Sequence, residues 1–242
     1  MGMEQLAEKL TVWIRSMVSK AGCKGVVIGM SGGIDSSVLA ILCQHAFPEN
    51  ILGLIMPCHS NPEDEKDAKI LAAKFSIPTK TVVLDNVFDT MHKVLANDVN
   101  ELTLNQIATA NLKVRLRMIT LYYYANQRKY IVAGASNKSE ISIGYFTKYG
   151  DGGVDILPLG SLVKKEIRKL ASVLGVPQHI IDKPPSAGLW QGQTDEDDLG
   201  FSYEKLDHYL LTGEASDNLK TKINSMIATH KHKRIPPPIA EL

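Results

Sequence analysis

Apolar positions recur at two periods along this chain of 242 residues. Leu6, Leu10, Trp13, Ile14 and Met17 fall at helical spacing and predict an amphipathic helix over 3–20 whose stripe packs on the body of the protein. Five short aliphatic runs, at 26–30 (V-V-I-G-M), 51–56, 81–84, 130–134 and 154–159, instead suit strands, and the most continuous of them suit strands buried on both faces. Helical segments separate them. V-L-A-I-L-C-Q-H-A follows the first strand, a helix starting at Asn61 and Pro62 carries acids in its first turn, and a long tract spans 103–127. Strands alternating with helices predict an α/β fold: a doubly wound, five-stranded parallel sheet with right-handed crossovers. The expected organisation is one domain over 1–242, with the core at about 20–180, a helical C-terminal extension at about 181–242, and I-P-P-P-I as an extended tail.

Charge narrows the partners. The 27 Lys+Arg against 26 Asp+Glu leave a formal net charge of +1, so no overall basic field exists for nucleic acid or an anionic membrane, and anion recognition must be local. Residues 26–43 are too interrupted by Ser31, Asp35, Ser36, Ser37 and three glycines to span a membrane. The acidic N-terminal stretch lacks a cleavable apolar core, and Cys23, Cys43 and Cys58 show no C-x-x-C spacing. A cytoplasmic protein without a disulfide framework or zinc site is expected.

Sheets of this kind bind ligands beyond the carboxyl ends of their strands, so the chemistry belongs after strands one, four and five. S-G-G-I-D-S-S (31–37) is the sharpest signal there. Gly32 and Gly33 let the backbone approach a ligand, and Ser31, Ser36 and Ser37 add hydroxyls at a helix start that favours an anion. The loop lacks the lysine of G-x-x-x-x-G-K-[ST] and is not G-x-G-x-x-G. Asp35, an acid in an anion site, makes sense if it holds a Mg²⁺ that bridges to phosphates. The competing reading is a plain Gly-rich turn in which Asp35 and Ser36 merely cap the helix.

The S-G-G-x-D-S pattern resembles the pyrophosphate loop of the N-type ATP pyrophosphatases, and further motifs choose within that group. G-A-S-N-K-S-E (134–140), G-Y-F-T-K-Y-G-D-G-G-V-D-I-L-P-L (144–159), P-P-S-A-G-L-W-Q-G-Q-T-D-E-D-D-L-G (184–200) and H-K-R (232–234) together resemble the NAD synthetase family over roughly residues 10–238. The implied fold is Rossmann-like, of the adenine nucleotide alpha hydrolase type. The implied reaction is ATP-dependent amidation of nicotinic acid adenine dinucleotide with ammonia through an acyl adenylate, giving NAD, AMP and pyrophosphate.

The resemblance implies roles residue by residue. Gly29, Ser31, Gly32, Gly33, Asp35, Ser36, Ser37, Ala135, Lys164 and Ser186 fall at ATP-contacting positions, and Asp35 and Glu140 at the Mg²⁺ positions. Arg115, Lys148, Asp155, His232 and Lys233 fall at dinucleotide positions, although His230 and Lys231 repeat the His-Lys pattern two residues earlier. Asp35 and Lys164 would act on the transferring phosphate, and Asp151 would aid deprotonation of ammonium. Two departures bear on adenylate binding: Ala135 stands where threonine is common, and I-M-P-C-H-S (55–60) lacks an arginine that some members carry.

A homodimer is expected from the family, with 103–127 at the interface because it is apolar over more than one stripe, and with Arg115 serving a substrate across it. Only thirty residues precede Ser31, too few for an amidotransferase domain, so free ammonia is the expected nitrogen source. W-Q-G-Q-T-D-E-D-D-L-G is closer to glutamine-using members, which leaves a separate glutaminase partner open. Two rivals are a tRNA thiolation enzyme, which would want a basic face and reactive cysteines, and a non-catalytic nucleotide-binding regulator, which has no use for Asp35, Glu140 and Lys148 together.

Overall fold

The computed structural model describes residues 2–96, 106–190 and 192–240. Its strands are β1 (Val26–Gly29), β2 (Ile51–Ile55), β3 (Thr79–Thr81) and β4 (Ile131–Ala133), all parallel, in the spatial order β3-β2-β1-β4. The helices are α1 (Met3–Lys20), α2 (Ile34–Ala46), α3 (Pro62–Lys74), α4 (Asp85–Ala96), α5 (Gln106–Arg128), α6 (Lys138–Ile143), α7 (Lys164–Leu174), α8 (Gln178–Asp182), α9 (Asp195–Leu199), α10 (Tyr203–Thr212) and α11 (Asp217–Thr229).

The period-2 alternation of the strands builds two cores. Val26 and Ile28 point into a layer with α1, α2 and α7, whereas Val27, Leu52, Leu54 and Val132 point into a layer with α4 and α5. Ile143, Leu199, Phe201, Tyr203, Leu206 and Ile223 form a third core, which docks the C-terminal extension on α6. From the central strand β1 the chain reaches β2 on one side through α2, and β4 pairs on the other side. The topological switch therefore lies between the carboxyl ends of β1 and β4, the place where such sheets bind ligands.

Three expectations need correction. The fifth strand is reduced to a single parallel bridge between Ala133 and Ile156. Asp155 explains the loss: its carboxylate takes the Val132 N–H at 2.7 Å, a donor that a longer ladder would use, and Pro158 has no N–H to offer. The third strand is Thr79–Thr81 rather than 81–84. Beyond it the chain still pairs loosely with the end of β2, Val82 N–H to Ile55 O and Leu84 N–H to Pro57 O, but Val83 faces solvent. On α1 the buried line is Ala7, Thr11, Ile14 and Val18, while Trp13 is partly exposed, so the inward face is rotated from the one expected. Of the tract 103–127, residues 103–105 lie outside the described residues and the rest is helical in α5.

Candidate active site

The loop between β1 and α2 turns through Gly32, whose φ is +78°. A Cβ there would lie 2.2 Å from the Asp64 carbonyl oxygen, so both conformation and space require glycine. The loop hydroxyls are turned inward on one another. Ser31 Oγ and Ser36 Oγ are 2.9 Å apart, Ser36 donates to Gly33 O at 3.0 Å, and Ser37 donates to the same carbonyl at 2.8 Å. Ser31 is exposed and Gly33 and Asp35 are partly exposed, whereas Ile34, Ser36 and Ser37 are buried, and Gly29 lies at the end of β1 beside Met56 and Leu121. The sequence-predicted phosphate residues are thus one contiguous structure.

Asp35 meets two partners from distant chain segments. Lys164, the first residue of α7, places Nζ 2.5 Å from Asp35 Oδ2 and 3.2 Å from Glu140 Oε1. Asn137, fully buried, donates from Nδ2 to Asp35 Oδ1 at 2.8 Å. It also caps α6 reciprocally: its Oδ1 accepts the Glu140 N–H, and Glu140 Oε2 accepts the Asn137 N–H. Sequence reasoning missed Asn137, although the N-x-x-E spacing inside G-A-S-N-K-S-E signals a capping box.

One ammonium between two carboxylates leaves the second acid under-compensated. Burial, with the Asp35 charge adding to it, pushes the Glu140 carboxyl up to about 7 although Lys164 opposes the shift. Burial works against the Lys164 charge, but Asp35 and Glu140 outweigh it and raise the ammonium above its ordinary range. Asp195 adds a third carboxylate nearby, held by Tyr203 OH at 2.9 Å and Tyr145 OH at 3.2 Å. The Lys164 ammonium also sits 4.9 Å from the Tyr203 ring centre. Two hard carboxylates converging on one positive charge, next to a phosphate cradle, fit Mg²⁺, which takes one or two carboxylates and completes its shell with phosphate oxygens and water. Among the described residues no set of three ligating side chains is assembled.

The residues expected on a dinucleotide gather around 144–151, at the other end of α6. Arg115 donates to Lys148 O at 3.3–3.4 Å, and Lys148 Nζ donates to His232 O at 2.9 Å. Lys233 Nζ reaches Gly144 O and Phe146 O, each at 2.9 Å. His230 packs on Gly144 and its Nδ1 lies 2.7 Å from Ile143 O. That seats His230 in the structure of the loop, whereas His232 is exposed. Asp151 caps the turn, its Oδ1 accepting Thr147 N–H at 2.7 Å. The residue is exposed overall, yet loss of solvation at its carboxyl pushes it up to about 6, opposed first by the Thr147 N–H and then by Lys233 and Arg117.

Three expected residues stand apart from these groups. Asp155 is engaged by Tyr122 OH at 2.8 Å and by the β4 backbone. Ala135 is partly buried against the core. Ser186 is exposed, its Oγ accepting Gly188 N–H, on a segment that Lys183 pins to Asp64 and Asp67 and that Lys113 ties through Leu189 O.

A model of the NAD synthase family matches residues 6–237. A Carboxydothermus hydrogenoformans protein named NH(3)-dependent NAD(+) synthetase is 49% identical over 234 residues, 96% of each chain. Among solved structures, an NMN synthetase from Francisella tularensis aligns over the whole of both chains with a TM-score of 0.94 at 35% identity. An NH3-dependent NAD synthetase from Campylobacter jejuni does so with a TM-score of 0.81 at 32% identity.

Proposed function

We infer a course for the reaction from the premise that this chain belongs to the NAD synthase family. It is a carbon–nitrogen ligase that uses ATP and ammonia to amidate nicotinic acid adenine dinucleotide. A nicotinate carboxylate oxygen attacks the α-phosphorus of ATP, the bond to pyrophosphate breaks, and an acyl adenylate forms. Ammonia then attacks the carbonyl carbon, AMP leaves with the former carboxylate oxygen, and the amide of NAD remains. Neither step needs a protein nucleophile, so positioning two anionic nucleotides and stabilising charge on the leaving phosphates is the main task.

The observation that carries this reading is the Asp35–Lys164–Glu140 constellation opening on the 31–37 loop. The loop amides and hydroxyls receive the phosphates, and Lys164 exchanges its carboxylate contacts for phosphate oxygens. Asp35 and Glu140 would hold Mg²⁺, which neutralises charge developing on pyrophosphate. Ala135 and Ser186 complete the ATP side, with Gly29 giving room at the strand end. Arg115, Lys148, Asp155, His232 and Lys233 receive the dinucleotide, and Asp151 takes a proton as ammonium becomes ammonia. The core at about 20–180 and the extension at about 181–242 act as one domain, since the extension supplies Asp195 and Tyr203 beside Glu140 and Lys164.

The acting form is a homodimer. Ile119 and Tyr123, one turn apart on α5, are 64% and 60% exposed, an apolar face in keeping with a second copy. Free ammonia serves as nitrogen source, with a separate glutaminase as a possible supplier, and the three free thiols suit a reducing cytoplasm. Among the described residues no helix is long and apolar enough to cross a membrane.

The high structural likeness to an NMN synthetase supports a second reading, in which nicotinic acid mononucleotide is the acceptor. Comparing turnover on the dinucleotide and mononucleotide decides between them. With ¹⁸O in the nicotinate carboxylate, label appearing in AMP supports the acyl adenylate, and label found only in a phosphate or retained wholly in the amide product refutes it.

A further inference from the structure

Asp207, on α10 of the C-terminal extension, is a carboxylate that the reaction scheme does not use. It is 2% exposed, and both its contacts lie on the catalytic elements. Oδ1 accepts the Ser139 hydroxyl at 2.5 Å, and Oδ2 accepts the Lys165 N–H at 2.7 Å. Ser139 Oγ in turn accepts the Lys164 N–H at 3.1 Å. Among the described residues no lysine or arginine is paired with Asp207.

A buried carboxylate without a counter-ion is costly unless something replaces its hydration. Here the Lys165 N–H of α7 and the Ser139 hydroxyl do so, and the positive end of that helix favours the negative charge. Asp207 therefore supplies, from 42 positions beyond Lys165, the cap that Val163, the residue before α7, has no side-chain oxygen to give. Lys164 is the first residue of α7, and Ser139 sits between the Asn137 cap of α6 and Glu140. The one carboxylate thus links the backbone that carries the Lys164 ammonium to the helix that carries Glu140 and, through Asn137, orients Asp35.

We propose that Asp207 is a positioning residue for the ATP and metal half of the site: it fixes the start of α7 against α6, so that Lys164, Glu140 and Asp35 converge. The extension thereby reaches the phosphates without touching them. This rests on the reading of the Asp35–Lys164–Glu140 constellation as the Mg–ATP site. It differs from a general packing role, because the dinucleotide residues Arg115 and Lys148 belong to a separate set of contacts.

The test is equilibrium binding, by titration calorimetry, of Mg–ATP and separately of the dinucleotide to the full chain and to three variants. Asp207→Ala and Ser139→Ala are each expected to weaken Mg–ATP by about tenfold or more while dinucleotide affinity stays within about twofold. Asp207→Asn keeps an acceptor for the Lys165 N–H but sets an NH2 against the Ser139 hydroxyl, which must turn to accept from it, and is expected to recover part of the loss. Unchanged Mg–ATP affinity in a folded Asp207→Ala overturns the proposal, as do equal losses for both ligands. If that variant does not fold, Ser139→Ala decides in the same terms. Failure of the unsubstituted chain to bind Mg–ATP would remove the underlying reading, and the proposal with it.

Discussion

Lys164 donates a 2.5 Å hydrogen bond to Asp35 across 129 positions of chain, from the first residue of one helix to the second residue of another. The ammonium stands where positive charge is required between two carboxylates, so removing it leaves both acids buried and uncompensated. Lys164→Met is expected to melt earlier than the parent in a chelating buffer, to regain more stability than the parent on adding Mg²⁺, and to lose turnover by about a hundredfold or more. Thermal melts with and without the ion check this, and equal stabilisation of both proteins would contradict it.

Asp35→Asn and Glu140→Gln are nearly isosteric and remove metal-facing charge from largely buried positions without opening a core cavity. Both are expected to fold and to lose most turnover, with a raised Mg²⁺ requirement. A Glu140→Gln enzyme with the parent's Mg²⁺ dependence would take Glu140 out of the metal shell.

Much of this site was legible from local sequence, because the loop needs contiguous residues: S-G-G-I-D-S-S reads as a cradle, and Gly32 proves irreplaceable on geometry. Asn137 was legible in principle through its capping-box spacing. Asp207 was not, since its partners are set by how α10 docks on α6 and α7, which no periodicity encodes. The lost fifth strand has a similar cause: V-D-I-L-P-L has strand composition, but the Asp155 side chain competes for the edge of β4. Likewise the inward face of α1 depends on where α2 and α7 lie: Leu6, Leu10 and Ile14 meet the core as their spacing implies, but apolar spacing alone does not show that Trp13 turns outward.

Gly32→Ala is expected to destabilise the chain by about 1–3 kcal/mol, because φ is positive and the new methyl group meets backbone rather than a mobile side chain. Chemical denaturation measures it. A neutral effect would show that the loop and the start of α3 separate freely.

Asp151 links function to stability through pH. Its carboxyl is raised from 3.8 to about 6, so in that interval the folded chain holds a proton that the unfolded chain releases. The stability that the neutral form contributes is fully present below the lower value and is lost as pH rises through the upper one. Asp151→Asn is therefore expected to be more stable than the parent at about pH 8, with the gain shrinking toward about pH 5, and to be slower in turnover. A gain independent of pH would contradict the assignment.

Ile119→Glu places a charge on the exposed apolar face of α5. Sedimentation is expected to show the parent as a dimer at micromolar concentration and the variant shifted to monomer, with activity falling alongside. A fully active monomeric parent would refute a substrate site completed across the interface.

The most direct measurement is the product balance. Incubated with ATP, Mg²⁺, ammonium and nicotinic acid adenine dinucleotide, the purified chain is expected to form NAD, AMP and pyrophosphate in equal amounts, with no product when ammonium is withheld and glutamine is supplied instead. ADP and phosphate as the nucleotide products, or AMP formed without amide, would contradict it.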